Sequence, residues 1–294
     1  GLVAAAMFLG YAFAALLVIP MTDRFKPSSI FIGSTVLFVA ANLLFPLLAR
    51  DFGTGLILRL LAGVAMVGVY MPGVRIVSER FSERSRGLAV GLWVTATYIG
   101  YSGSLGITGG LMVWLDWVDA YTLLALISAF AIPLAFILVK SYRHTAAGPA
   151  SGKLELAVLK DPKVRYLIIG YTMHAVQLQS VRVWLPLFLV AMLTARGFGE
   201  NESITTAATL ASVSLILGSI GPFTGGIISD KLGRIRTAIA ILTISASCSF
   251  VIGWSFNLPW VFILGLLLVY GWSISADSAI YSTGLTEVAA PDRL

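Results

Sequence analysis

Apolar stretches of about twenty residues recur along the whole chain, each closed by a short charged or glycine-rich break. A bilayer's hydrocarbon core is roughly 30 Å thick, and an α-helix rising about 1.5 Å per residue needs some 20 apolar residues to cross it. Lipid offers no partner to a free N–H or C=O, so such segments must close their own hydrogen bonds as helices. The composition agrees: 58% of the residues are hydrophobic and only 12% are charged, a balance foreign to a water-soluble domain. The predicted fold class is therefore an all-α membrane protein, with helices near 1–20, 29–49, 54–78, 88–112, 119–140, 165–193, 204–228, 236–254 and 258–284.

Charge orients these helices. Lys and Arg collect in alternate loops, at Arg24 and Lys26, at Arg80, Arg84 and Arg86, from Lys140 to Arg165, and at Lys231, Arg234 and Arg236. Those loops are predicted to be cytoplasmic. The opposite loops hold Arg50, Asp51, Asp116, Asp119, Arg196 and Glu200, with Trp114, Trp117, Trp254 and Trp260 placed like interfacial anchors. A formal net charge of +6 raises nucleic acid as a partner, but no Lys/Arg stripe interleaved with aromatics appears, so none is expected. The single cysteine, Cys248, excludes an intrachain disulfide and a Cys-based metal site, and reads as a small packing residue. No Ser/His/Asp set, no metal-ligand spacing and no phosphate loop occurs, so no enzyme, metal or cofactor is expected.

The longest polar stretch, Ser141 to Lys163, contains Gly148-Pro149 and Gly152 and reads as a flexible break. It divides the chain into an N-terminal half, 1–140, a cytoplasmic linker, 141–164, and a C-terminal half, 165–294. An internal repeat supports the division. The acidic-basic pair Asp23-Arg24 recurs as Asp230-Lys231, 207 residues later, and the run opening at Glu79 is echoed from Glu287, at an offset of 208. Two separate features thus keep one register. Continuing it predicts one further helix before Gly1 and two beyond Leu294, so the chain reads as nine of twelve helices.

The run Gly226 to Arg236, with Asp230, Lys231, Gly233 and Arg234 in place, closely resembles the Gly-x-x-x-Asp-Arg/Lys-x-Gly-Arg loop of the major facilitator superfamily. Arg59 with Gly63, Gly68 and Pro72 resembles that family's fourth-helix pattern, and Glu79 to Gly87 resembles the loop that follows it. The resemblance implies two six-helix halves, a substrate held at the membrane midplane between them, and alternating access by rocking. It assigns a gate to Asp23, Arg24, Glu79, Arg86, Gly226, Asp230, Lys231, Gly233 and Arg234. The N-terminal loop departs from the pattern, with Ile19 and Lys26 at its glycine positions. The antiporter signature of the fifth helix appears as Leu105-Gly106 and Gly109-Gly110, without its proline. A Gly221-Pro222 and Gly225-Gly226 run falls instead on the eighth-helix equivalent, where it reads as a kink with close packing.

A charge at the bilayer centre costs roughly 3 kcal/mol on insertion scales, so ionisable residues inside spans are functional candidates. Here they are Arg59, His174, Arg182 and Asp277. Arg59 shares a helical face with Gly63, Met66 and Tyr70. Tyr171 and His174 lie three apart, with Arg182 about 80° round the same helix. Tyr270, Ser273, Asp277 and Tyr281 make a third polar stripe. By the resemblance these helices line the central cavity, giving a candidate substrate set of Arg59, Tyr70, Tyr171, His174, Arg182, Ser273 and Asp277. The alternatives are that the two arginines snorkel to the headgroups, that Asp277 pairs with a structural partner, and that His174 is a satisfied interior histidine. Ala96, Gly100, Gly103 and Gly110 fall in a narrow arc and predict a close helix approach.

The function expected is secondary active transport of a small polar solute across the plasma membrane, with protons as the coupling ion. Two cavity-side arginines against one acid point to an anion. A transporter-like receptor or scaffold that binds without moving its ligand is the alternative, and the gate loop at Asp230 and Arg234 favours transport.

Overall fold

The computed structural model describes residues 2–81, 83–140, 142 and 160–288. The side chains at 19–20, 22–24, 83–88, 282 and 285–288 are not described, so the gate assignments at Asp23, Arg24 and Arg86 lie outside the described residues, as does the expected linker apart from Tyr142 and residues 160–164.

Every expected apolar segment is helical, and no strand occurs among the described residues. The helices are α1 (Leu2–Arg24), α2 (Pro27–Leu48), α3 (Phe52–Arg80), α4 (Glu83–Leu111), α5 (Trp117–Ala129), α6 (Ala131–Lys140), α7 (Pro162–Ala195), α8 (Glu200–Gly218), α9 (Gly221–Leu232), α10 (Arg234–Ile252), α11 (Trp260–Ala276) and α12 (Ser278–Val288). Among the described residues seven segments are long and apolar enough to cross a bilayer, counting α5 with α6, α8 with α9, and α11 with the start of α12 as one each. Large apolar side chains such as Phe13, Leu17, Phe136, Phe250 and Phe262 stand exposed on them, as a lipid-facing surface requires.

Three expected helices are each broken in two, for identifiable reasons. Proline has no N–H to give the carbonyl four residues back. Pro133 therefore cannot bond to Ala129, where α5 ends, and Pro222 cannot bond to Gly218, where α8 ends. The third break has no proline. It falls at Asp277, which caps α11 and whose carbonyl accepts from the N–H groups of Ile280 and Tyr281 as α12 begins.

The chain packs as two compact units. One holds α1 to α3, α5, α6 and α4 up to Val94, and the other holds residues Thr95–Trp114 with α7 to α12. The second part of α4 thus groups with the C-terminal helices, although the sequence reading gave all of it to the N-terminal half.

In the first unit α1 and α2 both lie along α3. A Cβ on Gly63 would overlap the carbonyl oxygen of Met7, and one on Gly68 would overlap the Ser34 hydroxyl, so the expected face beside Arg59 is a packing face. Phe31, Ile76, Ala135 and Val139 form a core against Trp93. Asp51 opens α3, accepting from the Thr54 N–H at 2.9 Å and from its hydroxyl at 2.6 Å. The hydroxyl bond first and the N–H bond second hold the Asp51 carboxyl below its ordinary pKa.

The second unit has the larger core. Leu178, Val181, Leu185, Leu189 and Met192 recur every three or four residues along α7 and meet Ala207 and Ala211 of α8 and Ile263, Leu267 and Ile274 of α11. The kink and close packing expected around Pro222 are both present. A Cβ at Gly271 would overlap the Ser214 carbonyl oxygen, and one at Gly225 would overlap that of Ala276. The α8–α9 pair and α11 therefore run backbone against backbone.

The close approach expected on α4 is corrected. Gly100, Gly103 and Gly110 have no atom within 4 Å of a would-be Cβ, and Ala96 is exposed. Gly106 and Gly109 make the contact instead, against Ser212 and Ala208 of α8. The periodic arc was real, but the neighbour lies about a quarter turn away from it.

Candidate functional site

Both units contain an arginine inside a span that no carboxylate neutralises among the described residues. In the first unit Arg59 lies with its guanidinium 4.0 Å from the ring centre of Phe45 on α2 and 5.1 Å from that of Tyr121 on α5. The Tyr121 hydroxyl donates to Asn42 Oδ1 at 2.6 Å. The arginine is thus fixed inside an aromatic niche of three helices. Tyr70 is half-buried on the same helix, eleven residues and about 16 Å of rise away.

In the second unit Arg182 of α7 stands between two tyrosines of α4, with its guanidinium 4.9 Å from the ring centre of Tyr98 and 4.8 Å from that of Tyr101. The Tyr101 hydroxyl donates to the Arg182 carbonyl at 3.1 Å, and Arg182 Nη1 donates to Gln179 Oε1 at 3.2 Å. An arginine has five N–H donors, so most remain available in the guanidinium plane. Arg182 borders a narrow crevice with Tyr98, Ser102, Leu178, Gly271 and Ile274.

Two turns below Arg182, about 12 Å along α7, His174 meets Asp277. His174 Nδ1 and Asp277 Oδ1 are 2.8 Å apart, and both side chains are 2% exposed. The approach is off the line of a hydrogen bond, so His174 Nδ1 and both Asp277 oxygens have no aligned partner. Tyr171 stacks on the imidazole at 5.8 Å and on Tyr281 at 6.0 Å, and Tyr281 also faces the imidazole at 6.0 Å. A buried carboxyl–imidazole contact of this kind is held by its surroundings as well as by its own attraction. Asp277 sits at the break between α11 and α12. The glycine seam fixes α11 to α8 and α9, and α12 lies on α7, where Gly170 leaves room for the Tyr281 ring, and on α9. The pair therefore ties α7 to the joint of the broken helix.

Of the sequence candidates, His174, Asp277 and Tyr171 come together with Tyr281, and Arg182 stands two turns away in the same unit. Ser273 is buried and donates to the Tyr270 carbonyl of its own helix at 3.2 Å. Tyr98, Tyr101 and Gln179 were not singled out from the sequence; the three-residue spacing of the two tyrosines was the available signal. Arg196, read only as an outer-loop charge, reaches the carbonyls of Ser255, Phe256 and Leu258 at 3.1, 2.7 and 2.6 Å and stacks on Trp260.

The gate residues divide by unit. In the second, Gly233 takes φ 89°, a conformation open to glycine, and turns α9 directly into α10. Arg234 Nη1 then folds back to Asp230 Oδ1 and to the Ser229 hydroxyl, each at 2.6 Å. Gly226 meets only Ala279, at 4.0 Å from a would-be Cβ, and Lys231 is exposed in the last turn of α9. In the first unit Glu79 lies in the last turn of α3, paired with Arg75 at 2.8 Å and receiving the Tyr142 hydroxyl. Burial, and then the bond to the Glu79 carboxylate, push the Tyr142 phenol above its ordinary pKa.

A polytopic helical chain with a Gly-capped acidic-basic loop and isolated charges inside its spans is built as a membrane carrier is built. The sequence profile described as Major Facilitator Superfamily matches residues 1–293, and the chain belongs to that family. It is an integral membrane protein. It is 25% identical over 316 residues to the probable galactarate/D-glucarate transporter GudP of Escherichia coli K12, covering 88% of this chain and 67% of that protein. It is 27% identical over 314 residues to the 3-(3-hydroxy-phenyl)propionate transporter of the same organism, covering 100% of this chain and 74% of that one. The crystal structure of a bacterial homolog to human lysosomal transporter Spinster, inward-facing and occupied, shares the fold with a TM-score of 0.67 at 18% identity, over 98% of this chain and 66% of that one. The chain thus spans about two thirds of the length of the first of these relatives and of this structure.

Proposed function

We propose that the protein is a secondary transporter of a small organic anion, coupled to protons and working by alternating access in the plasma membrane. The observation that carries this reading is Arg182, a guanidinium inside a span with two tyrosine rings and Gln179 beside it and no carboxylate partner among the described residues. An unneutralised cation in such a place is expensive unless something anionic visits it. The two named relatives carry carboxylates of unlike shape, a sugar diacid and an aryl propionate, which supports a carboxylate as the common element.

The His174–Asp277 pair is the second part of the reading. It is buried at the joint of α11 and α12, and a proton arriving on the Asp277 carboxylate removes the negative charge that attracts a protonated His174 and so loosens the tie between α7 and that joint. Release of the tie lets α7 move relative to the joint, while α11 stays on α8 and α9 and α12 keeps its own contact with α9. Arg59, in its own aromatic niche, is the corresponding anion contact of the first unit.

The test is uptake of a carboxylate panel into vesicles carrying the protein expressed from its full gene. Arg182→Lys keeps the charge but loses the planar fork; we expect apparent affinity for every transported carboxylate to fall by roughly tenfold or more. Unchanged affinity across the panel would refute the anion reading.

A further inference from the structure

The His174–Asp277 pair is buried, so a proton that reaches it must cross the interior of the second unit. Polar side chains of α7, α10 and α11 lead away from it. On α7 Gln177 lies one turn beyond His174, about 4.5 Å of rise, and its Nε2 donates to Oγ of Ser245 on α10 at 2.7 Å. Ser245 is itself buried. One turn further along α10, about 6 Å of rise, Ser249 donates to the Ser245 carbonyl at 3.0 Å, and its hydroxyl lies 2.6 Å from that of Tyr270 on α11. Tyr270, Ser273 and Asp277 then fall within an arc of about 60° on α11 and lead back to the pair. The heights agree: the steps along α7 and α10 and the return along α11 each cover about 10 Å. Ser249 is exposed in the last turn of α10, at the end that the loop charges make external. The column is separate from the crevice of Arg182. Gln177 stands about 140° round α7 from Arg182, and α11 gives the crevice Gly271, Ile274 and Ser275, about a third of a turn from Tyr270 and Asp277.

We propose that this column is the route by which protons from the outer side reach the His174–Asp277 pair, with Gln177 as its gate, an inference that rests on the reading of the pair as the coupling site. The hydroxyls of Ser249, Tyr270 and Ser245 each donate and accept, so a proton can be handed along them with water between. An amide keeps its protons, so Gln177 bars the column while it is bonded to Ser245 and opens the last step to His174 when it swings away. The proton leaves external water and ends on the Asp277 carboxylate, with no other bond made or broken. Tyr171 on α7 and Tyr281 on α12 face the pair. Tyr98 of α4 stands beside Arg182, Cys248 is buried next to Ser249, and Glu200 and Glu202 lie in the first turn of α8. Asp230, Lys231, Arg234 and Arg236 sit where α9 meets α10. Proton and anion thus enter by different faces of α7, and a bound substrate does not block the proton's path.

The test uses the protein from its full gene in right-side-out vesicles, with D-glucarate and 3-phenylpropionate as probes read against vesicles lacking the protein. Ser249→Cys, in a background freed of other cysteines, is treated from outside with a membrane-impermeant cationic methanethiosulfonate. We expect the reagent to attach and to slow uptake driven by a pH gradient by about fivefold or more, while exchange of labelled for unlabelled probe, which needs no net proton movement, stays within about twofold. Gln177→Leu puts an apolar side chain of similar length in place of the movable amide and should show the same split without reagent. An introduced thiol that never reacts, or that reacts without slowing pH-driven uptake, overturns the proposal, as does unaltered pH-driven uptake in Gln177→Leu. Equal loss of uptake and exchange in both variants overturns it too, because the column would then be packing between α7, α10 and α11. Failure of the underlying reading looks different: combined replacement of His174 and Asp277 would leave pH-driven uptake intact, or the wild type would accumulate neither probe, and the proposal would fall with it.

Discussion

His174 and Asp277 offer a sharp test because their burial fixes what must happen when one is removed. Each side chain is 2% exposed, so His174→Ala leaves the Asp277 carboxyl in a dry site without its imidazole partner. Stranding one member of a buried pair costs about 3–5 kcal/mol. Asp277→Asn removes the charge but keeps the shape and should cost less, about 1–2 kcal/mol, since an amide finds no aligned partner among the same neighbours. The double variant strands nothing. Its loss should therefore fall short of the sum of the two single losses by about 1–3 kcal/mol, the range seen for residues in direct contact. The assay is denaturant unfolding of the four proteins in detergent, with far-ultraviolet circular dichroism and tryptophan fluorescence as separate probes. Strictly additive losses would show that the 2.8 Å contact carries no energy, and the proton site would then have to be sought elsewhere.

The other predictions concern the framework around the site. Gly225→Ala should place a methyl against the Ala276 carbonyl and push α9 off α11, costing about 1–3 kcal/mol by overpacking and slowing transport; a wild-type unfolding midpoint would contradict the backbone contact. Arg196→Ala frees three carbonyls of the turn before α11 and should destabilise the protein by about 2–3 kcal/mol with no change in substrate affinity, as unfolding and binding measured together would show. Asp230→Asn should barely alter stability, because the exposed pair with Arg234 contributes at most about 1 kcal/mol and Ser229 still holds the arginine. It should slow transport all the same, and transport at the normal rate would remove Asp230 from the gate.

The architecture was legible because lipid leaves the sequence so few options. A run of twenty apolar residues cannot do much except span, so the nine helical segments were found from apolarity alone. Their interruptions were harder. Pro222 was read correctly as a kink, but Pro133 was passed over, and the break at Asp277 carries no proline to announce it. It arises where a buried carboxylate turns toward a histidine a hundred residues away, which no local window contains. The partnership of His174 with Asp277 was open for the same reason, although both residues were picked out by the cost of burying them. Tyr98 and Tyr101 escaped notice because a tyrosine in a span costs little and signals nothing until the arginine beneath it is seen. The arc of small residues on α4 pointed the wrong way because glycine periodicity marks a face that can be approached without saying which neighbour approaches it.

The most direct test of the central claim is flux of a carboxylate driven by a pH gradient alone. In proteoliposomes containing the purified protein from its full gene, with matched sodium and potassium on both sides, radiolabelled carboxylate should accumulate against its own gradient when a pH difference is imposed. That accumulation should collapse on adding a protonophore, and the combined replacement of His174 and Asp277 should leave exchange of labelled for unlabelled substrate while abolishing the response to the gradient. Accumulation that ignores the pH difference, or that keeps its full response when both residues are replaced, would contradict the account.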